Sequence, residues 1–318
     1  MHNEPSLFSA FSITNAEISG CYVCITPETD LAISVLDSTV RESVRFVRNL
    51  QLRFSVKLFV ENSVLQEVAG DGSVIEVRLS PGADRVDIEF RNSSCTSESF
   101  IAHVYETPDE QPSLSNIHFK ASDSYFQAPV FVFDVTTCDL VTSHVTLDLQ
   151  NNEFDLGAII LQTSSVAGLM SGNSFPGNSR TLYVSFCNST LSPVSTSLVN
   201  QLLIKNNHFA GSTSDDELSF VSQHTNISHH NIGIRGNKFE HDLNLERKGI
   251  FINTKADDTN VYTVTSNNFT SSGGSGIHAE GGFGVLNSFY PALNKTYYEK
   301  YIASEALYHY FENVLFSN

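Results

Sequence analysis

Tryptophan is absent from this 318-residue chain, methionine occurs only twice, and 18 lysines and arginines stand against 35 aspartates and glutamates. The shortage of positive charge leaves a formal net charge of −17. Such a field repels phosphate backbones and anionic headgroups, so nucleic acid and the membrane surface are not expected as partners. Long apolar runs are also missing. No stretch reaches the roughly 18 apolar residues of a transmembrane helix, so no membrane insertion is expected. The first residues, MHNEPSLFSAF, have neither the basic segment nor the apolar core of a signal peptide. Five cysteines, at 21, 24, 95, 138 and 187, supply no clear disulfide framework. Cys21 and Cys24 have CxxC spacing, but no second pair and no nearby histidine completes a metal site. A buried structural role or an unrelated disulfide is the expectation for them. Patterns of the HxxxH, GxSxG and P-loop kinds do not occur.

What the chain does hold is β-forming. Apolar residues make up 41% of it, charged residues 17%, and there are 23 Phe and 11 Tyr among abundant Ser, Thr and Asn. That mix suits many short strands joined by polar turns.

An internal repeat organises the C-terminal two-thirds. Asn152-x-Phe154, Asn173-x-Phe175, Asn207-x-Phe209, Asn237-x-Phe239, Asn267-x-Phe269 and Asn287-x-Phe289 follow one another at 21, 34, 30, 30 and 20 residues. Leu149, Met170, Ile204, Ile234 and Val264 stand three places before the Asn in five of them. Between the units lie second short β-like runs, at 158–161, 181–184, 218–221, 249–252 and 276–279. Strands this short are not stable as isolated hairpins. If each unit makes one lap of a coil, equivalent strands pair in parallel at about 4.8 Å. The Asn then turns inward at a bend and satisfies the backbone of neighbouring laps, and the Phe two residues on returns to the interior.

The pattern I-x-x-N-x-F, as in IRGNKF (234–239), followed by a run such as GIFI (249–252), resembles the right-handed parallel β-helix of pectate lyases, polygalacturonases and phage tailspikes. The resemblance covers residues 114–290, with 115–119 and 129–135 as the first coil. It implies a structural Asn ladder and Phe stack. By likeness to viral fibres and tailspikes it also implies a homotrimer. The exposed end of such a stack needs a cover. Residues 291–318 place Tyr298, Tyr301, Ile302, Leu307, Phe311, Val314 and Leu315 at mostly helical spacing, so an amphipathic capping α-helix is expected there.

Residues 1–106 lack the Asn-x-Phe unit and read as about seven alternating strands, which suggests a β-sandwich. Extra turns of the coil are the alternative. The stretch ISGCYVCITPETDLAISV resembles the opening of a lectin-like module of the anthrax protective antigen and yeast adhesins. Where the adhesins hold calcium with an Asp pair, this chain has a lone Asp30. Residues 107–113, with two prolines in ETPDEQPS (106–113), read as a linker.

Candidate chemistry is sparse. Asp257 and Asp258 follow Asn253-Thr254 and invite comparison with polygalacturonases, yet the acids stand three residues from NT rather than one coil away. Lys205 and Arg235 occupy equivalent places two before successive ladder Asn residues, and either is a candidate base for a pectate-lyase-like β-elimination. Asp215-Asp216-Glu217, Glu240-His241-Asp242 and His229-His230 fall where inter-strand loops are expected, as solvated groups or carbohydrate contacts. Asn92, Asn188, Asn226, Asn268 and Asn294 head N-x-S/T triplets and are acceptors only if the chain is secreted. No cofactor is expected, calcium being the one metal the acidity would favour.

The expectation is therefore an all-β, elongated, non-catalytic protein of a cell or virion surface, meeting a glycan or a protein surface. A polysaccharide lyase or glycoside hydrolase is the rival. An intracellular scaffold is the third option, since no signal peptide is seen.

Overall fold

The structure is a computed structural model. It describes residues 8–19, 30–41, 51–52, 55–66, 75–79, 85–96, 102–106, 113–127, 131–135, 141–155, 159–163, 165–176, 181–187, 200–210, 217–222, 230–240, 249–254, 261–269, 277–281 and 285–286. Every described element is a strand, and the strands form three sheets of eleven, ten and nine members. The chain deals one strand to each sheet in turn. Ser113–Ser122, Tyr125–Gln127 and Phe131–Val135 make one lap, and Val141–Gln150, Glu153–Phe154 and Ile159–Thr163 make the next. Each strand pairs in parallel with its counterparts in the laps above and below. The result is an all-β parallel solenoid. Its first sheet spans ten strand spacings, about 48 Å.

One hexapeptide pattern explains why the laps stack in register. ITNAEI (13–18), VLDSTV, VENSVL, FRNSSC, ASDSYF, LQNNEF, MSGNSF, IKNNHF, IRGNKF and VTSNNF (264–269) recur in this order. The first residue ends the inner face of the first sheet. The third takes a left-handed backbone, with φ between 43° and 69° at all ten positions. Asn, Asp and Gly, which hold nine of those ten places, tolerate this region best. The fourth residue turns inward, and the sixth is the apolar residue of the second sheet.

The inward fourth residues form a continuous column. In the C-terminal laps the backbone N–H of Asn152, Asn173, Asn207 and Asn237 each donates to the side-chain oxygen of the next ladder Asn, at 2.9–3.0 Å. Further up, the same bond runs from Ala16 N–H to Ser38 Oγ, and on through Ser63, Ser93 and Ser124 to Asn152. Beside the column, Phe126, Phe154, Phe175, Phe209, Phe239 and Phe269 stack with ring centroids 4.7–5.2 Å apart and planes within 19°. That repeat is the strand spacing itself, so the sheet fixes the stack and the rings fill the core. Asn287 and Phe289 lie outside the described residues.

The N-terminal part departs from the sandwich expected over residues 1–106. Asp30–Leu36, Val56–Glu61 and Arg85–Arg91 pair in parallel with one another and with Ser113–Ser122, in the same first sheet. The alternative of extra coil turns is what forms. Alternation of apolar residues is common to both architectures, which is why the pattern alone misled. Serine in place of Asn, with Val40, Leu65 and Cys95 in place of Phe, conceals the repeat there. At the expected linker, Ser113 already begins a strand, and 107–112 lie outside the described residues. So does the expected helix at 291–318.

Candidate functional site

The ten left-handed residues sit at the crease between the first and second sheets, and most carry an amide or a carboxylate. Over five laps the crease opens into a groove of about 700 Å³, running from Asn62 through Asn92, Asp123 and Asn151 to Gly172. Four strand spacings make it about 19 Å long. The buried ladder residues Ser63, Ser93 and Ser124 form its floor. Along the edge, the outer side chains bond from lap to lap. Asn62 Nδ2 donates to Asp37 Oδ1 at 3.1 Å, Asn92 Nδ2 to Asn62 Oδ1 at 2.9 Å, and Asn151 Nδ2 to Asp123 Oδ1 at 3.3 Å. Each amide keeps a second N–H, and each oxygen a lone pair, for a ligand.

The opposite wall comes from the second sheet, where Val64, Ser94, Tyr125, Glu153 and Ser174 point outward. Tyr125 Oη donates to Asp155 Oδ2 at 3.4 Å. Desolvation, and then the Asp155 carboxylate, push its phenol upward, so the hydroxyl stays a neutral donor. The groove therefore offers amides, hydroxyls, two carboxylates and one aromatic face.

Just past the groove, His208, Lys238 and Glu240 form a charged cluster on the second sheet. His208 Nε2 lies 2.6 Å from Glu240 Oε2, and Lys238 Nζ pairs with Glu240 Oε1. Bonds from Lys238 and then His208 hold the Glu240 carboxyl below its ordinary value. The chain thus binds Glu240 to its neighbours, while His241 and Asp242 lie outside the described residues. Two other groups depart from the solvated loop positions expected for them. Glu217 is fully buried and accepts from Thr181 Oγ1 at 2.6 Å. His230 is buried at the head of the strand His230–Arg235, and its Nε2 accepts from Val166 N–H at 3.4 Å. Asp215, Asp216 and His229 lie outside the described residues.

A second hollow, of about 500 Å³, opens on the outer face of the first sheet around Gly233 and Arg235. Lys205 and Arg235 occupy directly opposite register positions in adjacent strands. The other two candidates, Asp257 and Asp258, are outside the described residues. Asp30, the residue nearest the lectin-like calcium position, accepts a bond from Ser55 N–H at 2.9 Å and serves the neighbouring lap. Among the described residues no three His, Cys, Asp or Glu side chains converge. Of the glycosylation triplets, Asn92 and Asn268 are exposed, and Asn188, Asn226 and Asn294 are outside the described residues. Cys187 is disulfide-bonded, with its partner outside the described residues, while Cys95 is a buried thiol in the Phe column.

Two histidines on the first sheet give stability a pH dependence. Burial lowers His144, and burial followed by Arg85 lowers His118 against an opposing pull from Asp87. A histidine whose folded pKa lies below its unfolded 6.5 leaves the unfolded chain holding more protons in between. Stability is therefore full above that value and declines as pH falls through the folded one. Urea midpoints measured from about pH 7 down to about pH 5 are expected to fall, and His144→Asn is expected to flatten the decline. An unchanged slope in the variant would remove His144 as its source.

No family model, curated protein or solved structure matches the chain.

Proposed function

We propose that the solenoid is a right-handed parallel β-helix and that the chain is an elongated, non-catalytic binding protein of a cell or virion surface, taking a glycan along its crease. Right-handedness follows from the strong bias of parallel crossover connections. The observation that carries the binding reading is the groove itself. Its donors and acceptors repeat every strand spacing, as the hydroxyls of a sugar polymer repeat along a chain. Amides and hydroxyls serve both roles at once, which suits ligand groups that also donate and accept. Tyr125 supplies an apolar face with a polar tip. The rigid ladder beneath holds these groups in place before a ligand arrives, which limits the entropy lost on binding. A disulfide at Cys187 accords with an oxidising, extracellular location.

The test is titration of the full chain with a panel of neutral oligosaccharides by calorimetry, with the ligand recovered afterwards. Tyr125→Ala is expected to weaken binding about tenfold, the loss of one good aromatic contact, and to leave the circular dichroism unchanged. Tyr125→Phe is expected to keep most of the affinity. Absence of binding across the panel would overturn the reading. Shortened or unsaturated products in the recovered ligand would replace it with the rival hydrolase or lyase.

A further inference from the structure

Arg235, which lines the first-sheet hollow, and Lys205, its register partner at the hollow's edge, make a charge pattern found nowhere else among the described residues. Arg41, Arg85, Arg91, Lys120 and Lys238 each lie beside a carboxylate, Glu17, Asp87, Glu89, Glu89 and Glu240 respectively. Lys205 and Arg235 pair with no acid among the described residues, and they face each other across one strand spacing, about 4.8 Å. Like charges placed directly opposite on a sheet repel and destabilise it. In a chain of net charge −17, where acids outnumber bases nearly two to one, an uncompensated basic pair is against the odds.

The surroundings keep that charge available. The outward register neighbours on the same two columns are Ser171, Thr265, Leu169, Leu203, Gly233 and Thr263, none of them acidic. Gly233 carries no side chain, which leaves a recess beside Arg235. Gln201, Asn231, Thr263 and Thr265 ring it with neutral hydrogen-bonding groups. We infer that this hollow is an anion site: it takes the carboxylate or sulfate ester of an acidic sugar, with the Arg235 fork on two oxygens and Lys205 as the second charge.

Position links it to the crease. The left-handed column that edges the groove continues beyond Gly172 as Asn206, Gly236 and Ser266, and Ser266 also lines the hollow. An oligosaccharide running along the crease has its neutral units over the amides, where Asp123 and Glu153 would oppose an anion. Its acidic unit falls at the end where, among the described residues, Lys205 and Arg235 stand without an acid. The anion site stands on its own geometry, and only its assignment to a glycan rests on the function proposed above.

Two measurements separate those claims. Sodium sulfate titrated into the full chain is expected to shift the NMR signals of the Arg235 Nε–H and the Lys205 side chain, and to leave the Arg91 Nε–H in place. No shift, or an equal shift at Arg91, would overturn the anion site. Sulfated lactose, sialyllactose and lactose are then compared by calorimetry at low salt. One or both acidic sugars are expected to bind at least about tenfold more tightly than lactose, the effect of one charge-assisted contact. The advantage is expected to shrink as salt rises, and to vanish in Lys205→Gln/Arg235→Gln with lactose affinity unchanged. Preference for the sulfated or the sialylated sugar assigns the anion as sulfate ester or carboxylate. A preference that survives the double substitution would overturn the site. Sulfate shifts without any acidic-sugar preference would overturn the glycan assignment and leave an inorganic-anion site.

Discussion

Replacing Asn207 by Ala is expected to lower stability by about 3–5 kcal/mol, since each buried group left without a partner costs about 1–3 kcal/mol. The side chain of Asn207 is buried and holds four hydrogen bonds. Its oxygen accepts from the backbone N–H and the Nδ2 of Asn173, both at 2.9 Å, and its own Nδ2 donates to Met170 O and Asn237 Oδ1, both at 3.0 Å. Truncation orphans the Asn173 N–H in a dry bend, strips the Met170 carbonyl of its amide contact, and leaves a cavity against the Phe stack. Asn207→Ser is expected to cost about half as much. The upper laps show why: Ser63 Oγ donates to Glu61 O at 2.7 Å while accepting from Ser38 N–H, so a hydroxyl keeps the lap-to-lap bond and loses only the amide's extra reach. Urea unfolding followed by circular dichroism ranks the two variants. A loss below about 1 kcal/mol for Asn207→Ala would mean that the column follows the fold without holding it.

The same chemistry decided what was legible in the sequence. From Asn152 onward the amide and the ring recur together, two rare coincidences per lap, and the solenoid could be read directly. Above Asn152 the bend keeps its geometry but changes its residues. A serine can occupy the fourth place because it needs only to accept one N–H and donate within its own lap, and Cys95 or Leu65 fills the ring's place where the neighbouring rings end. What survives through all ten laps is an apolar residue, one spacer, a left-handed Asn, Asp, Gly or Ser, and a small inward residue. That signal lies in a backbone requirement, and residue identity reports it only loosely. LDS, ENS, RNS and SDS carried it in the first 124 residues.

The candidate sites were less legible for a related reason. A crease groove is assembled from residues 30 apart, each unremarkable alone, and its depth depends on φ values that Asn and Ser do not advertise. The register of Lys205 with Arg235 was readable because it follows from the ladder. The hollow beside them was not, because it depends on Gly233 facing outward and on the nearest outward register neighbours lacking an acid. Glu217 and His230 were misplaced because lap lengths vary from 21 to 34 residues, so sequence position alone does not say where a loop ends and the core begins.

Gly168→Ala is expected to be the most damaging single-methyl change in the described solenoid, costing at least about 3 kcal/mol, or roughly 6 °C or more in Tm for a chain of this size. Gly168 lies within the strand Ser165–Ser171 with φ at +124°, a region that side-chain-bearing residues rarely enter. A methyl there would come 1.8 Å from the Leu147 carbonyl oxygen and 2.7 Å from its carbonyl carbon. Those are backbone atoms of a strand paired on both sides, so the neighbour cannot yield. The distortion has a use. Pairing with the following strand, Asn200–Lys205, begins only at Gly168, and the upstream Val166 N–H turns instead to the imidazole of His230. Gly168 is the point at which pairing with the following strand starts, while Ser165–Ala167 stay paired with the preceding one alone. Gly233→Ala is the control: its methyl would meet only Leu203 Cδ1 at 3.0 Å, the mobile end of a side chain, and restricting the unfolded chain offsets that contact. Thermal unfolding of the two variants is expected to differ by several degrees. Equal Tm values would place Gly168 among the glycines the fold can spare.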